Sequence, residues 1–79
     1  MRIDKYLKLS RIIKRRTIAQ EACEQGRVSI NDKVVKPSAE VKIGDIIEIR
    51  FGQQPVRYKV LDIKEHVKKE DTNNLYQIL

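Results

Sequence analysis

The apolar residues of this chain change their spacing once, just after Gly26, and that switch restricts the possible fold more than any other feature. Before it, Ile3, Tyr6 and Leu7, then Ile18, Ala19, Ala22 and Cys23, recur at the three- and four-residue intervals of helices that bury one side. After it, Val28-Ser29-Ile30, Ile47-Glu48-Ile49-Arg50-Phe51 and Val56-Arg57-Tyr58-Lys59-Val60 alternate, as strands with one covered face do. Helices come first and strands afterwards. They predict an α+β fold in which two N-terminal helices pack on a small, mainly antiparallel sheet of about four strands.

Local signals refine this outline. Thr17 and Gln20 have the T-x-x-Q form of a capping box at the start of the second helix, and Gly26 suits its C-terminus. Arg27 to Ile30 and Lys33 to Lys36 read as a hairpin about Asn31-Asp32. That turn's type stays open, because Asp accepts a positive φ less readily than Gly. Pro37-Ser38 ends the hairpin, and Val41 and Ile43 are expected to tuck onto the core before Gly44-Asp45 turns into strand 46–51. Gly52-Gln53-Gln54-Pro55 is a turn by composition. Strand 56–60 should pair antiparallel with 46–51, and the slip of phase at Leu61-Asp62-Ile63 predicts a bulge or the strand's end. Residues 1–63 therefore form the domain and 64–79 a tail, where Leu75, Ile78 and Leu79 at i, i+3, i+4 predict a short docked helix.

Charge is the second organising feature. Residues 1–27 carry eight Lys/Arg against three acids, whereas the remaining 52 carry nine against eight, so nearly all of the net +6 lies in the first third. Concentrated positive charge raises the local field, as a surface that meets a polyanion requires. Lys14-Arg15-Arg16 stands at the positive end of the second helix, where free N–H groups already favour phosphate. Four aromatic side chains, Tyr6, Phe51, Tyr58 and Tyr76, are too few for a base-stacking platform, which favours structured RNA over single strands.

Other classes are poorly served. Seventy-nine residues leave little room for an enclosed catalytic cavity. No nucleophile, base and oxyanion donor assemble, so no enzyme activity and no cofactor are expected. There is no apolar run of membrane-spanning length and no secretory signal. One cysteine and one histidine supply neither a disulfide nor a metal set, consistent with a reducing cytoplasm. Cys23 reads as a small core residue and His66 as a surface one. Asp4, an acid amid cations, reads as a partner of the helix dipole or of a nearby arginine whose rotamer it fixes.

Five motifs carry a family resemblance in the expected order: Arg2-Ile3-Asp4-Lys5-x-Leu7, Arg16-Thr17-x-Ala19, Gln25-Gly26-Arg27-Val28-x-Ile30-Asn31, Lys36-Pro37-Ser38 and Gly44-Asp45. Together they resemble the RNA-binding domain of small-subunit ribosomal protein four, over about Arg2 to Phe51. As a stand-alone copy with a short tail, the chain is similar to the heat-shock-protein-fifteen type and to the RqcP-like (YabO-like) family of bacterial ribosome-associated quality control. Two positions depart from the common pattern: Arg15 where many members have Ser, and Asp32 where many have Gly.

The resemblance implies a non-catalytic protein that binds rRNA of the large ribosomal subunit and peptidyl-tRNA in the cytoplasm. It implies too that a factor of the RqcH kind adds an alanine tail to the stalled nascent chain. A monomer with no membrane contact is expected. Arg2, Lys5, Arg11, Lys14, Arg15, Arg16, Thr17 and Arg27 are the candidate RNA-binding residues, with Arg16 and Arg2 foremost because they match motif arginines. Lys8 and Lys33 are weaker candidates. Thr17 has capping as its alternative role. The rival readings are a generic structured-RNA-binding domain, an accessory domain of an RNA-modifying enzyme or synthetase, and a basic module that meets an acidic protein or, less favoured for want of Trp or Phe in the first helix, an anionic membrane.

Overall fold

Ile3, Tyr6 and Leu7 line one side of helix α1 (Ile3–Leu9) and are all buried, as their spacing requires. This computed structural model describes residues 1–79, the side chains of Asp71 and Asn73 excepted. Helix α2 (Arg16–Glu24) packs against α1 through Ala19, Ala22 and Cys23, small side chains that permit close approach. Ile18, assigned to the same apolar side, instead lies at its margin and is 42% exposed.

Gly26 ends α2 as expected. It has φ +74°, its N–H donates to the Cys23 carbonyl and the Arg27 N–H donates to Ala22, which is the paired bonding of a Schellman motif. The chain then enters a five-stranded, wholly antiparallel sheet of order β2-β1-β3-β4-β5, built from β1 (Val28–Ile30), β2 (Lys33–Val34), β3 (Ile46–Phe51), β4 (Gln54–Val60) and β5 (Tyr76–Ile78). Val28, Ile30, Ile47, Ile49 and Val60 face the helices and are buried with Ile13 and Val41 in one core. Lys59 and Arg57 alternate with the core-facing residues and so project from the opposite, outer face.

The turns show how the register is fixed. Asn31 and Asp32 both have positive φ, 51° and 67°, as a two-residue type I′ hairpin demands. Asn31 compensates by bracing: its amide donates to Asp45 at 3.1 Å and its Oδ1 accepts the Ile46 N–H at 3.0 Å, tying the hairpin to the start of β3. Between β2 and β3, the Asp45 N–H donates to the Lys42 carbonyl and Gly44 takes φ +93°, the third position of a type II turn. Ile43 is lifted onto the tip of that turn and is 64% exposed, so only Val41 reaches the core.

The tail departs from expectation. A short 3-10 helix, Lys69–Asn74, precedes β5, so Leu75, Ile78 and Leu79 do not share a helix. Tyr76–Ile78 pairs with β4 and adds the fifth strand. Leu75 is buried, and its carbonyl accepts the Tyr6 hydroxyl at 2.7 Å together with the Leu61 and Asp62 N–H groups. Two consecutive amides meeting one carbonyl make a bulge-like end to β4, where the phase slips in the sequence. Strand β4 also begins earlier than its turn composition implies, at Gln54. Pro55 is tolerated there because β5 pairs only with residues 58–60 and leaves that edge open.

Candidate nucleic-acid interface

Asp4 organises the basic surface. It lies in the first turn of α1 and is fully buried, yet every side of its carboxylate is occupied. Oδ1 accepts the Lys5 N–H at 2.7 Å, while Oδ2 accepts from Gln20 Nε2 at 3.0 Å and Arg2 Nη2 at 3.2 Å and forms an ion pair with Arg16 Nε at 3.4 Å. Burial would raise the pKa of this carboxyl. The Gln20, Lys5 and Arg16 interactions outweigh that penalty and hold it below its ordinary value. Asp4 is thus an anionic peg from which two arginines, one at the start of each helix, are hung.

Both guanidiniums consequently lie on one side of the molecule. The Arg2 and Arg16 side chains remain 50% and 42% exposed, and each keeps most of its five N–H donors free for an outside acceptor. Arg2 is placed by extended backbone at the α1 N-cap, where the Ile3 N–H donates to the Ala39 carbonyl at 2.7 Å and Arg2 itself bridges Glu40. Arg16 is the first residue of α2.

The capping box is not formed. Arg15 occupies the N-cap with extended dihedrals and no side-chain cap, which puts Thr17 one residue inside the helix with its side chain exposed. Gln20, the supposed reciprocal cap, turns to Asp4 instead. Its role was hidden by the capping pattern, although the Arg16–Gln20 spacing of four places both on one side of α2.

The other candidates are placed more variously. Lys14 and Arg15 are exposed in the connection leading to Arg16. Arg11 follows α1 with φ 63° and lines a shallow, open depression with Lys8, Leu9, Lys14 and Val67. Lys8, ranked low from the sequence, therefore stands beside two of the stronger candidates. Lys5 is bound at 2.6 Å to Glu65 of the tail, an exposed pair that a competing anion can exchange at little cost. Arg27 lies past the far end of α2, a helix about 13 Å long that Arg16 begins, and is not gathered into the Asp4 cluster. Lys33 lies in edge strand β2.

Cys23 is buried, and that burial pushes its thiol up to about 11, as a core residue requires. Among the described residues, no three His, Cys, Asp or Glu side chains are grouped to hold a metal ion.

Two short helices on an antiparallel sheet, with motif arginines converging at their starts, define a class, the S4 domain, whose family model matches residues 1–47. The chain belongs to the S4-domain family, in the branch formed by relatives called RQC P-site tRNA stabilizing factor. The Bacillus subtilis relative is 52% identical across the whole of this chain and 92% of its own length. The Halalkalibacterium halodurans relative is 51% identical over 99% of this chain and 89% of its own length. Heat shock protein 15 of Vibrio cholerae, solved as a trimer, superposes with a TM-score of 0.89 at 30% identity, over 100% of this chain and 81% of its own.

Proposed function

We propose that this protein is a non-catalytic RNA-binding factor of the large ribosomal subunit. Its Arg2–Arg16 face engages rRNA and the peptidyl-tRNA held there. The observation that carries the reading is the shared peg: two guanidiniums fixed on Asp4 Oδ2 present preoriented donors to phosphate at little further entropic cost. Lys14, Arg15 and Arg11 supply surrounding charge, Thr17 a hydroxyl beside Arg16, and Lys5 joins when phosphate displaces Glu65. Arg27 acts further along the same strand of RNA or through the general field.

The relatives' shared name supports a role in ribosome-associated quality control. There the factor holds tRNA in the P site while a partner of the RqcH kind extends the stalled chain with alanine. Its action is positional: cations neutralise phosphates, and the sheet keeps them in register. The protein acts in the cytoplasm as a monomer.

Sedimentation through a sucrose gradient tests this. Arg16→Ala should move the protein out of the large-subunit fraction, whereas Lys59→Ala, on the outer face of the sheet, should leave it there. Equal behaviour of the two variants would refute the assignment of the face.

A further inference from the structure

Three cations, Lys8, Arg11 and Lys14, share the depression between the α1–α2 turn and the tail, with Leu9 and Val67 as its apolar lining. They differ from the arginines of the Asp4 cluster in one respect. Arg2, Lys5 and Arg16 are each held by a carboxylate, whereas none of these three has an acidic partner among the described residues. Like charges collected in a concavity repel one another and focus a positive potential that only an added anion relieves.

The backbone shows how Arg11 is placed there. Arg11 has φ 63°, a conformation that glycine adopts without strain and a long side chain does not. The turn is braced further on: the buried Ser10 hydroxyl donates to the Leu7 carbonyl, and the N–H of buried Ile13 donates to the same oxygen at 3.1 Å. Arg11 is the left-handed residue that ends α1, its N–H donating to the Lys8 carbonyl at 3.1 Å, and its side chain lines the depression.

We propose that this depression is a second phosphate subsite, separate from the Arg2–Arg16 pair, which takes a backbone phosphodiester of the same RNA. Lys8 and Lys14 neutralise the phosphate, Arg11 forks onto its oxygens, and Val67 brings the tail into the interface as an apolar wall. The Lys5–Glu65 pair fastens the segment that carries Val67 to α1. This inference rests on the RNA-binding reading and adds a location and a role for the tail.

The test is salt-dependent binding of the full chain to a fluorescently labelled RNA hairpin. Lys8→Gln with Lys14→Gln should weaken binding about tenfold or more and reduce the log–log salt slope by about 1, the share of one phosphate. Arg11→Gly should weaken binding while raising the melting temperature, a combination that a merely structural residue would not give. Val67→Glu should weaken binding by setting a carboxylate beside the site, and Lys59→Gln should change nothing. If the Lys8/Lys14 variant kept wild-type affinity and slope while Arg16→Ala lost both, the subsite would be refuted and the RNA reading would stand. A flat salt dependence of the wild type would overturn both.

Discussion

At the residue scale, Asp4 carries consequences for both stability and recognition. Asp4→Ala leaves the Gln20 amide and the Lys5 N–H without their acceptor and sets two guanidiniums against each other. The half-exposed arginines regain some hydration, so a loss of about 2 kcal/mol is expected in chemical denaturation, together with weakened RNA binding. The pH dependence follows from the depressed pKa. The stabilisation is fully present above the ordinary carboxyl value of 3.8 and is lost as pH falls below that value through the lower folded one. Thermal melts of Asp4→Asn should therefore lack part of the acid destabilisation that the wild type shows; superimposable pH profiles would contradict the role of the carboxylate. Cys23 gives a complementary check on the core. With its thiol buried and pushed from 9.0 up to about 11, alkylation at pH 8 should run much slower in the native protein than in the denatured chain; equal rates would contradict its place in the core.

At the scale of elements, the tail is the least predictable segment and the most informative. Leu75, Ile78 and Leu79 have helical spacing, yet only Leu75 is buried, and Ile78 and Leu79 are 63% and 60% exposed. A three-residue edge strand is held by backbone pairing with β4, and backbone pairing leaves no periodic trace in the side chains. The helices and two chain reversals are legible because each has a local cause: buried stripes in α1 and α2, Gly26 at a Schellman end, Gly44 in a type II turn. What could not be read was any contact between distant segments. Gln20 matched a capping pattern and serves Asp4; Tyr6 matched a core stripe and also clamps Leu75 across the molecule. Leu75→Ala should cost about 3 kcal/mol by opening a cavity beneath the tail. Tyr6→Phe should cost about 1 kcal/mol, since the Leu75 carbonyl keeps the Leu61 and Asp62 amides. Hydrogen exchange should show the second change confined largely to β5.

At the scale of the whole molecule, the sheet divides two chemistries. Its inner face and the helices hold the core, and the starts of the helices carry the net charge. On the outer face Arg57 is matched by Asp32 and Glu48, and Arg50 by Glu48. The two arginines of that face are thus paired with acids, whereas Lys8, Arg11 and Lys14 have no acidic partner among the described residues. If about five phosphates are neutralised by the helical face, affinity for duplex RNA should fall with a log–log salt slope of roughly −4.

The most direct measurement of the central claim is ultraviolet crosslinking of the wild-type protein in cells, with the attached RNA sequenced and the attached peptides mapped. Crosslinks should fall within residues 1–27 and join them to large-subunit rRNA and tRNA. Crosslinks concentrated on Arg50, Arg57 and Lys59, or RNA without enrichment for those two classes, would contradict it.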